Sequence, residues 1–125
     1  MIDVAAQITY WRTGAEEDWV VALELLDKDR VRHSLFIAHL ALEKALKAHV
    51  CKETRDLAPR IHNLVRLAEL AALKLDEQQL DILADMNIFN IHGRYPTSPA
   101  SPTLEQAESY IARADGVFRW LIGQL

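Results

Sequence analysis

Helical periodicity is the feature that most restricts the fold, and it is clearest between about Arg30 and Lys52. Apolar residues recur there every three or four positions, which is the spacing of one helix face. The stripe consists of Leu35, Ala38, Leu42, Ala45 and Val50, and Phe36, Leu40 and Leu46 widen it. A helix this apolar on several sides is expected at the centre of a bundle.

The same period predicts four more helices. Their expected spans are about Val4 or Ile8 to Leu26, Ile61 to Leu73, Glu77 to Phe89, and Leu104 to Ile122. The inner face of the first helix is predicted to hold Tyr10, Ala15, Trp19, Ala22, Leu23 and Leu26. Asp76 is a predicted N-cap, and Thr103 with Gln106 resembles a capping box.

These helices fit into one domain. The chain has 125 residues, and no segment alternates with the period-two pattern of a strand. We therefore expect a single all-α domain over residues 1–125, an up-and-down antiparallel bundle of four to five helices.

Charge is unevenly distributed along the chain. Residues 28–66 carry nine basic and four acidic side chains, whereas the rest carries five basic and fourteen acidic ones, within a net charge of −4. A basic segment on an acidic background suits an anion such as phosphate or RNA. It equally suits a solvated basic face that pairs with acidic neighbours.

Several functional classes lack their signals. The one cysteine, Cys51, cannot form an internal disulfide and is expected to be buried. The start of the chain lacks the basic and apolar regions of a signal peptide, and no apolar run approaches the ~20 residues that span a bilayer. We expect a cytoplasmic protein without membrane contact. Glycine-rich phosphate loops and His-Glu-x-x-His are absent, so neither a cofactor nor a metal is predicted.

Polar residues on the long helix are the main candidates for function. His39, Glu43 and Lys47 are spaced four residues apart and share a stripe, and Lys44 flanks Glu43. One interpretation is an ordinary surface Glu–Lys pair. The other is a partly enclosed cluster, because the surrounding helix is so apolar and enclosed charges often belong to functional sites.

Two further clusters carry hydrogen-bonding residues. In Arg60–Leu64, His62 and Asn63 could cap the third helix or contact an anion at its positive end. In Asn87–Pro96, Arg94 and Tyr95 could bind phosphate or stack on a ligand. The alternative for that pair is to hold the following loop on the bundle.

Together these stretches resemble the HEPN domain, the higher eukaryotes and prokaryotes nucleotide-binding module. The resemblance rests on Trp11 with Ala15-Glu-Glu-Asp-Trp19, on Arg32–Ala48 with its Ala-Leu-Glu-Lys-Ala-Leu-Lys-Ala run, on Ile61-His-Asn-Leu-Val-Arg-Leu-Ala68 and on Asn87-Ile-Phe-Asn-Ile-His-Gly-Arg-Tyr-Pro96. It covers nearly the whole chain. It implies a helical bundle that forms a homodimer and, in prokaryotes, a two-gene partnership with a minimal nucleotidyltransferase.

Many HEPN relatives are metal-independent ribonucleases with an Arg-x(4–6)-His motif in the fourth stretch. Here His92 is present, but residues 84–89 contain no arginine and Arg94 follows the histidine. Arg55 and His62 have the required spacing, although they span a connector with Pro59. In a ribonuclease, His62 would accept the proton of a ribose 2′-hydroxyl and Arg55 would stabilise the phosphorane.

Three hypotheses for function follow. The leading one is a module of a toxin–antitoxin-type pair that binds a nucleotide, RNA or other substrate and assembles with a nucleotidyltransferase. Its ligand-binding residues would be His39, Glu43, Lys44, Lys47, His62, Arg94 and Tyr95. The second is a ribonuclease toxin with a degenerate site, and the third is an interaction bundle that binds no ligand.

Overall fold

A computed structural model describes residues 1–94 and 102–125, with only the backbone for residues 92–94. The described residues form helices and connectors without a strand, which confirms the predicted all-α bundle. The helices are α1 (Val4–Asp27), α2 (Val31–Thr54), α3 (Leu64–Leu70), α4 (Glu77–Met86), α5 (Ile88–Arg94) and α6 (Leu104–Gly123).

Helices α1 and α2 form an antiparallel hairpin. The backbone of Asp29 adopts the left-handed conformation with φ of 59° and closes the turn between them. The buried Ser34 hydroxyl donates a 2.8 Å hydrogen bond to the Ala22 carbonyl across the hairpin. Helix α2 also packs against α3, α5 and α6, so the prediction that it is the central helix is confirmed.

Helix α6 runs back along α1. The indole of Trp19 stacks on Phe118 with ring centroids 4.7 Å apart, and its N–H donates to Asp115 Oδ1 at 3.0 Å. The predicted capping box of Thr103 and Gln106 is present at the start of α6. Asp76 likewise caps α4, as predicted.

Two predicted helices are shorter than expected. Helix α3 begins after Asn63, whose side chain accepts from the Arg66 N–H, and Ala72 with φ of 53° follows its end. The predicted helix to Phe89 is divided into α4 and α5 at Asn87, whose side chain bonds to the start of α3 instead.

Two residues predicted on the inner face of α1 are exposed. Tyr10 is 66% exposed because it lies about 180° around the helix from the buried Trp19. Leu23 is 40% exposed because it faces the edge of the contact between α1 and α6. Ala15, Trp19 and Ala22 are buried as predicted.

A membrane-spanning helix is absent from the part of the chain that the structure describes.

A buried charge cluster on the second helix as candidate functional site

Glu43 is the centre of a buried polar cluster on α2. It is only 5% exposed, and its Oε1 lies 3.0 Å from His62 Nδ1 while its Oε2 accepts from Lys47 Nζ at 3.2 Å. His39 is fully buried on the same stripe, with Nδ1 4.0 Å from Glu43 Oε1. The structure therefore brings together four of the predicted ligand-binding residues. Of the two interpretations of this stripe, it supports the enclosed cluster and not the surface Glu–Lys pair.

His62 lies where this cluster meets solvent. Its side chain is 51% exposed although Nδ1 contacts the buried Glu43. Because a carboxylate can only accept, Nδ1–H is the donor, and the remaining ring nitrogen is Nε2. The arrangement is an imidazole oriented by a carboxylate.

A network of two asparagines holds the connector that carries His62. Asn87 Oδ1 accepts from the Leu64 N–H at 2.8 Å, and Asn87 Nδ2 donates to Asn63 Oδ1 at 3.2 Å. Asn63 Oδ1 also accepts from the Arg66 N–H at 3.1 Å, so Asn63 is the N-cap of α3, one of the two roles left open for this cluster. The second and third polar clusters of the sequence thus meet at the start of α3.

Lys47 connects the cluster to α1. Its ammonium lies 5.2 Å from the centroid of the Trp11 ring, within reach of a cation–π interaction. The Lys47 side chain is almost completely buried, so its charge has lost most of its contact with water. The contacts with Glu43 and Trp11 compensate for that loss.

Lys44 points away from the cluster and borders a pocket. Its Nζ lies 2.7 Å from Asp18 Oδ2, and its aliphatic chain crosses Gly14. A Cβ at Gly14 would lie 3.2 Å from Lys44 Cδ, so glycine permits this close approach. The pocket beside it has a volume of about 430 Å³ and is lined by Thr9, Tyr10, Trp11, Thr13, Gly14, Glu17 and Lys44.

Tyr10, Gly14 and Glu17 were not among the predicted site residues. A signal for them exists in the sequence, because Tyr10, Gly14 and Glu17 are spaced four and three residues apart and lie on one side of α1. Interpreting Tyr10 as a core residue concealed that signal.

The remaining predicted residues do not join the cluster. Arg55 is exposed at the C-cap of α2 and, among the described residues, makes no hydrogen bond or ion pair with His62. Arg94 ends α5, but its side chain, the side chain of His92 and all of Tyr95 lie outside the described residues.

A second buried histidine joins α2 to the end of α6. His49 Nε2 donates to the Leu121 carbonyl at 2.8 Å, and Lys52 Nζ donates to the Gln124 carbonyl at 2.9 Å. Burial lowers the pKa of His49, the bond to Leu121 partly opposes this effect, and the charge of Lys52 adds to it. Within the described residues, no group of three or more His, Cys, Asp or Glu side chains could hold a metal ion.

Comparison with known families gives a match over nearly the whole chain. The family model described as HEPN domain matches residues 8–125. The chain belongs to the HEPN domain family. The four stretches that carried the resemblance, including those of the Glu43 cluster, all lie within the match. Among curated proteins, no match is found for this HEPN domain.

Two crystal structures share the fold of this HEPN domain. TT1696 from Thermus thermophilus has a TM-score of 0.79 at 23% identity, over 95% of this chain and 98% of that chain. ST0689, described as an archaeal HEPN homologue, has a TM-score of 0.74 at 20% identity, over 94% of this chain and 97% of that chain. At these identities the likeness concerns the fold.

Proposed function

We propose that this HEPN domain is a nucleotide-binding and assembly module that works as a homodimer with a minimal nucleotidyltransferase in a toxin–antitoxin-type pair. The observation that carries the ligand part is the pocket between α1 and α2, where an exposed aromatic ring and a lysine face the same space. Gly14 supports it, because the missing side chain lets Lys44 lie close to α1 beside the pocket. The family assignment supports the class of function.

The chemistry of the pocket suits a nucleotide. Its volume of about 430 Å³ lies within the usual range of ligand pockets, which is roughly 300–1,000 Å³. The ring of Tyr10 can stack on a base, an interaction worth about 1–3 kcal/mol. Lys44 also contacts Asp18, but unlike the buried Lys47 its side chain is 31% exposed, so its ammonium can pair with phosphate. Glu17 and the hydroxyls of Thr9 and Thr13 can bond to the base edge or ribose.

The Glu43 cluster has a supporting role in this proposal. Its charges are largely compensated by one another, so Lys47 is not free to move to a ligand. The cluster instead fixes α2 against Trp11 and the start of α3. Lys44, one residue from Glu43, is thereby held beside the pocket.

Calorimetric titration with ATP and with GTP tests the ligand part. The expected result is saturable binding of at least one nucleotide, weakened at least tenfold by Lys44→Ala. Lys28→Ala removes an exposed lysine from the α1–α2 turn and serves as the matched control. Asp18→Asn removes the carboxylate that pairs with Lys44 but leaves the Lys44 ammonium. It therefore distinguishes a direct contact between Lys44 and the ligand from a structural role of the Lys44–Asp18 ion pair. Absence of binding, or equal losses in Lys44→Ala and Lys28→Ala, would refute the proposal.

The assembly part has its own test. We expect a minimal nucleotidyltransferase gene beside the gene of this protein, and the co-expressed pair to elute as one complex in size-exclusion chromatography with light scattering. The HEPN domain by itself is expected to have the mass of a dimer. A monomeric chain that does not bind the co-expressed enzyme would refute this part.

One observation favours a second function, that of a metal-independent ribonuclease. Glu43 orients the half-exposed His62, which is the geometry of a general base. This candidate predicts RNA cleavage in EDTA that His62→Ala abolishes. If the active site is instead in the fourth stretch, as in HEPN ribonucleases, His92→Ala would abolish the cleavage. Undetectable cleavage in EDTA would exclude both versions.

A further inference from the structure

An apolar groove lies between α1 and α6, away from the Glu43 cluster. Two depressions, of about 420 and 330 Å³, occur along this seam. Val20, Leu23 and Leu104 border them and are 54%, 40% and 39% exposed. Aliphatic side chains of this size gain free energy when they are covered, so the groove can bind an apolar partner surface.

The lining residues follow one face of each helix. On α1 they recur at three- and four-residue spacing from Glu16 to Asp27, and on α6 they extend from Leu104 to Gly123. At 1.5 Å per residue, the α1 part is roughly 17 Å long, or about three helical turns. This length suits a short amphipathic helix that inserts apolar side chains into a groove.

Acidic residues dominate the rim at one end of the groove. Asp27 and Glu108 line it beside Leu23 and Leu104. Among the described residues, neither of these two carboxylates forms an ion pair with a basic side chain.

The arginines near the groove, by contrast, are already paired. Arg119 lies 2.7 Å from Asp115, and Arg12 lies 3.1 Å from Glu16. The lining of the smaller depression, by comparison, holds two carboxylates and no basic side chain.

We propose that the α1–α6 groove binds a basic amphipathic helix of a partner protein. Apolar side chains on one face of that helix would fill the depressions, and its Lys or Arg residues would pair with the acidic rim. A second copy of this chain would bring a rim of the same sign, so a basic partner is the better match. The inference rests on the assembly part of the proposed function and assigns a surface to it.

A synthetic peptide of about 18 residues provides the probe, with Leu at helical i, i+3, i+4 and i+7 spacing and Lys elsewhere. A matched peptide has Glu in place of Lys. Labelled peptides are titrated with the full chain and binding is followed by fluorescence anisotropy. We expect the Lys peptide to bind at least tenfold more tightly than the Glu peptide.

Variants locate the binding surface. Val20→Asp combined with Leu23→Asp should weaken binding of the Lys peptide at least tenfold, although it adds attractive charge. Leu57→Asp combined with Ile88→Asp makes the same charge change at exposed apolar positions outside the groove and should not weaken binding. Val20→Ala with Leu23→Ala should weaken it in the same direction without introducing charge.

Three results would overturn the inference: equal affinities for the two peptides, equal losses in the groove and control variants, or conversion of a dimer to a monomer by the groove variant. The last would assign the groove to a second copy. The peptide assay contains no nucleotidyltransferase, so its failure is distinguishable from a failure of the co-expression test of assembly. Binding of ATP or GTP depends on Lys44 and not on Val20, so the groove variant should retain it.

Discussion

Glu43 joins the central helix to the connector before α3 through one contact, with Glu43 Oε1 3.0 Å from His62 Nδ1. The carboxylate lies on the central helix, and the imidazole lies in the connector just before α3. Since the other carboxylate oxygen accepts from the buried Lys47, Glu43 compensates a charge that has little access to water.

Glu43→Ala is therefore expected to be strongly destabilising. It leaves Lys47 buried without its carboxylate, and breaking such a pair costs about 3–5 kcal/mol. Urea unfolding followed by circular dichroism measures the change. Glu69→Ala removes the carboxylate of the exposed pair with Arg66 and should cost less than about 1 kcal/mol. If the two variants lost equal unfolding free energy, Glu43 would contribute no more to stability than an exposed carboxylate does, which would contradict this prediction.

Gly14 and Lys44 are expected to be energetically coupled. Replacing a mid-helix glycine by alanine gains roughly 0.5–1 kcal/mol in an open position. At Gly14 the new Cβ would meet Lys44 Cδ at 3.2 Å, so Gly14→Ala should stabilise the wild-type chain less than it stabilises the Lys44→Ala variant. Gly116→Ala is the control, because its Cβ would meet nothing within 4 Å and its gain should be the same in both backgrounds. Additive effects at Gly14 would contradict the close approach.

His49 predicts a specific dependence of stability on pH. Burial lowers its pKa in the folded chain below the ordinary value of 6.5, so the unfolded chain binds a proton at a higher pH than the folded chain does. Below about pH 6.5 this difference favours unfolding, and the stability provided by neutral His49 decreases until the folded pKa is reached. Each unit by which the pKa is lowered corresponds to about 1.4 kcal/mol.

His49→Gln removes this titration. The difference in unfolding free energy between wild type and variant should decrease between pH 7.5 and 5.5, measured by urea titrations at each pH. His33→Gln makes the same change at an exposed histidine and is the matched control. A pH-independent difference for His49→Gln would contradict the expected proton linkage.

The thiol of Cys51 should be unreactive in the folded protein. It is fully buried, and burial raises its pKa, which reduces the reactive thiolate. Reaction with a disulfide reagent such as DTNB should be slow in buffer and fast in denaturing urea. Rapid modification of the native chain would mean that the end of α2 opens readily.

The sequence predicted the helices well where local signals determine them. Asp76 and Thr103 each cap a helix through their own side chain, so these two starts could be predicted from residue type. Asn63 caps α3 in the same way, but the predicted helix began before it, at Ile61. The break at Asn87 could not be predicted, because its cause is a hydrogen bond to Leu64, 23 residues earlier. The exposure of Tyr10 depends on which side of α1 meets α2, which a short apolar stripe leaves ambiguous.

The candidate site was predicted in the same partial way. Spacing alone put His39, Glu43 and Lys47 on one stripe, and the apolar surroundings indicated that it could be enclosed. Two contacts could not be predicted from spacing, because they depend on how the helices pack. They are the contact of His62 with Glu43 and the ion pair of Lys44 with Asp18. The pocket beside Gly14 belongs to two helices and has no motif of its own.

A titration of ¹⁵N-labelled protein with ATP and GTP, followed by two-dimensional NMR, tests the central claim most directly. If the α1–α2 pocket holds a nucleotide, saturable shift changes should concentrate at residues 9–17 and around Lys44, and Lys44→Ala should raise the nucleotide concentration needed for them at least tenfold. Lys28→Ala should retain them. Unchanged spectra, or shifts that concentrate elsewhere and persist in Lys44→Ala, would contradict the account.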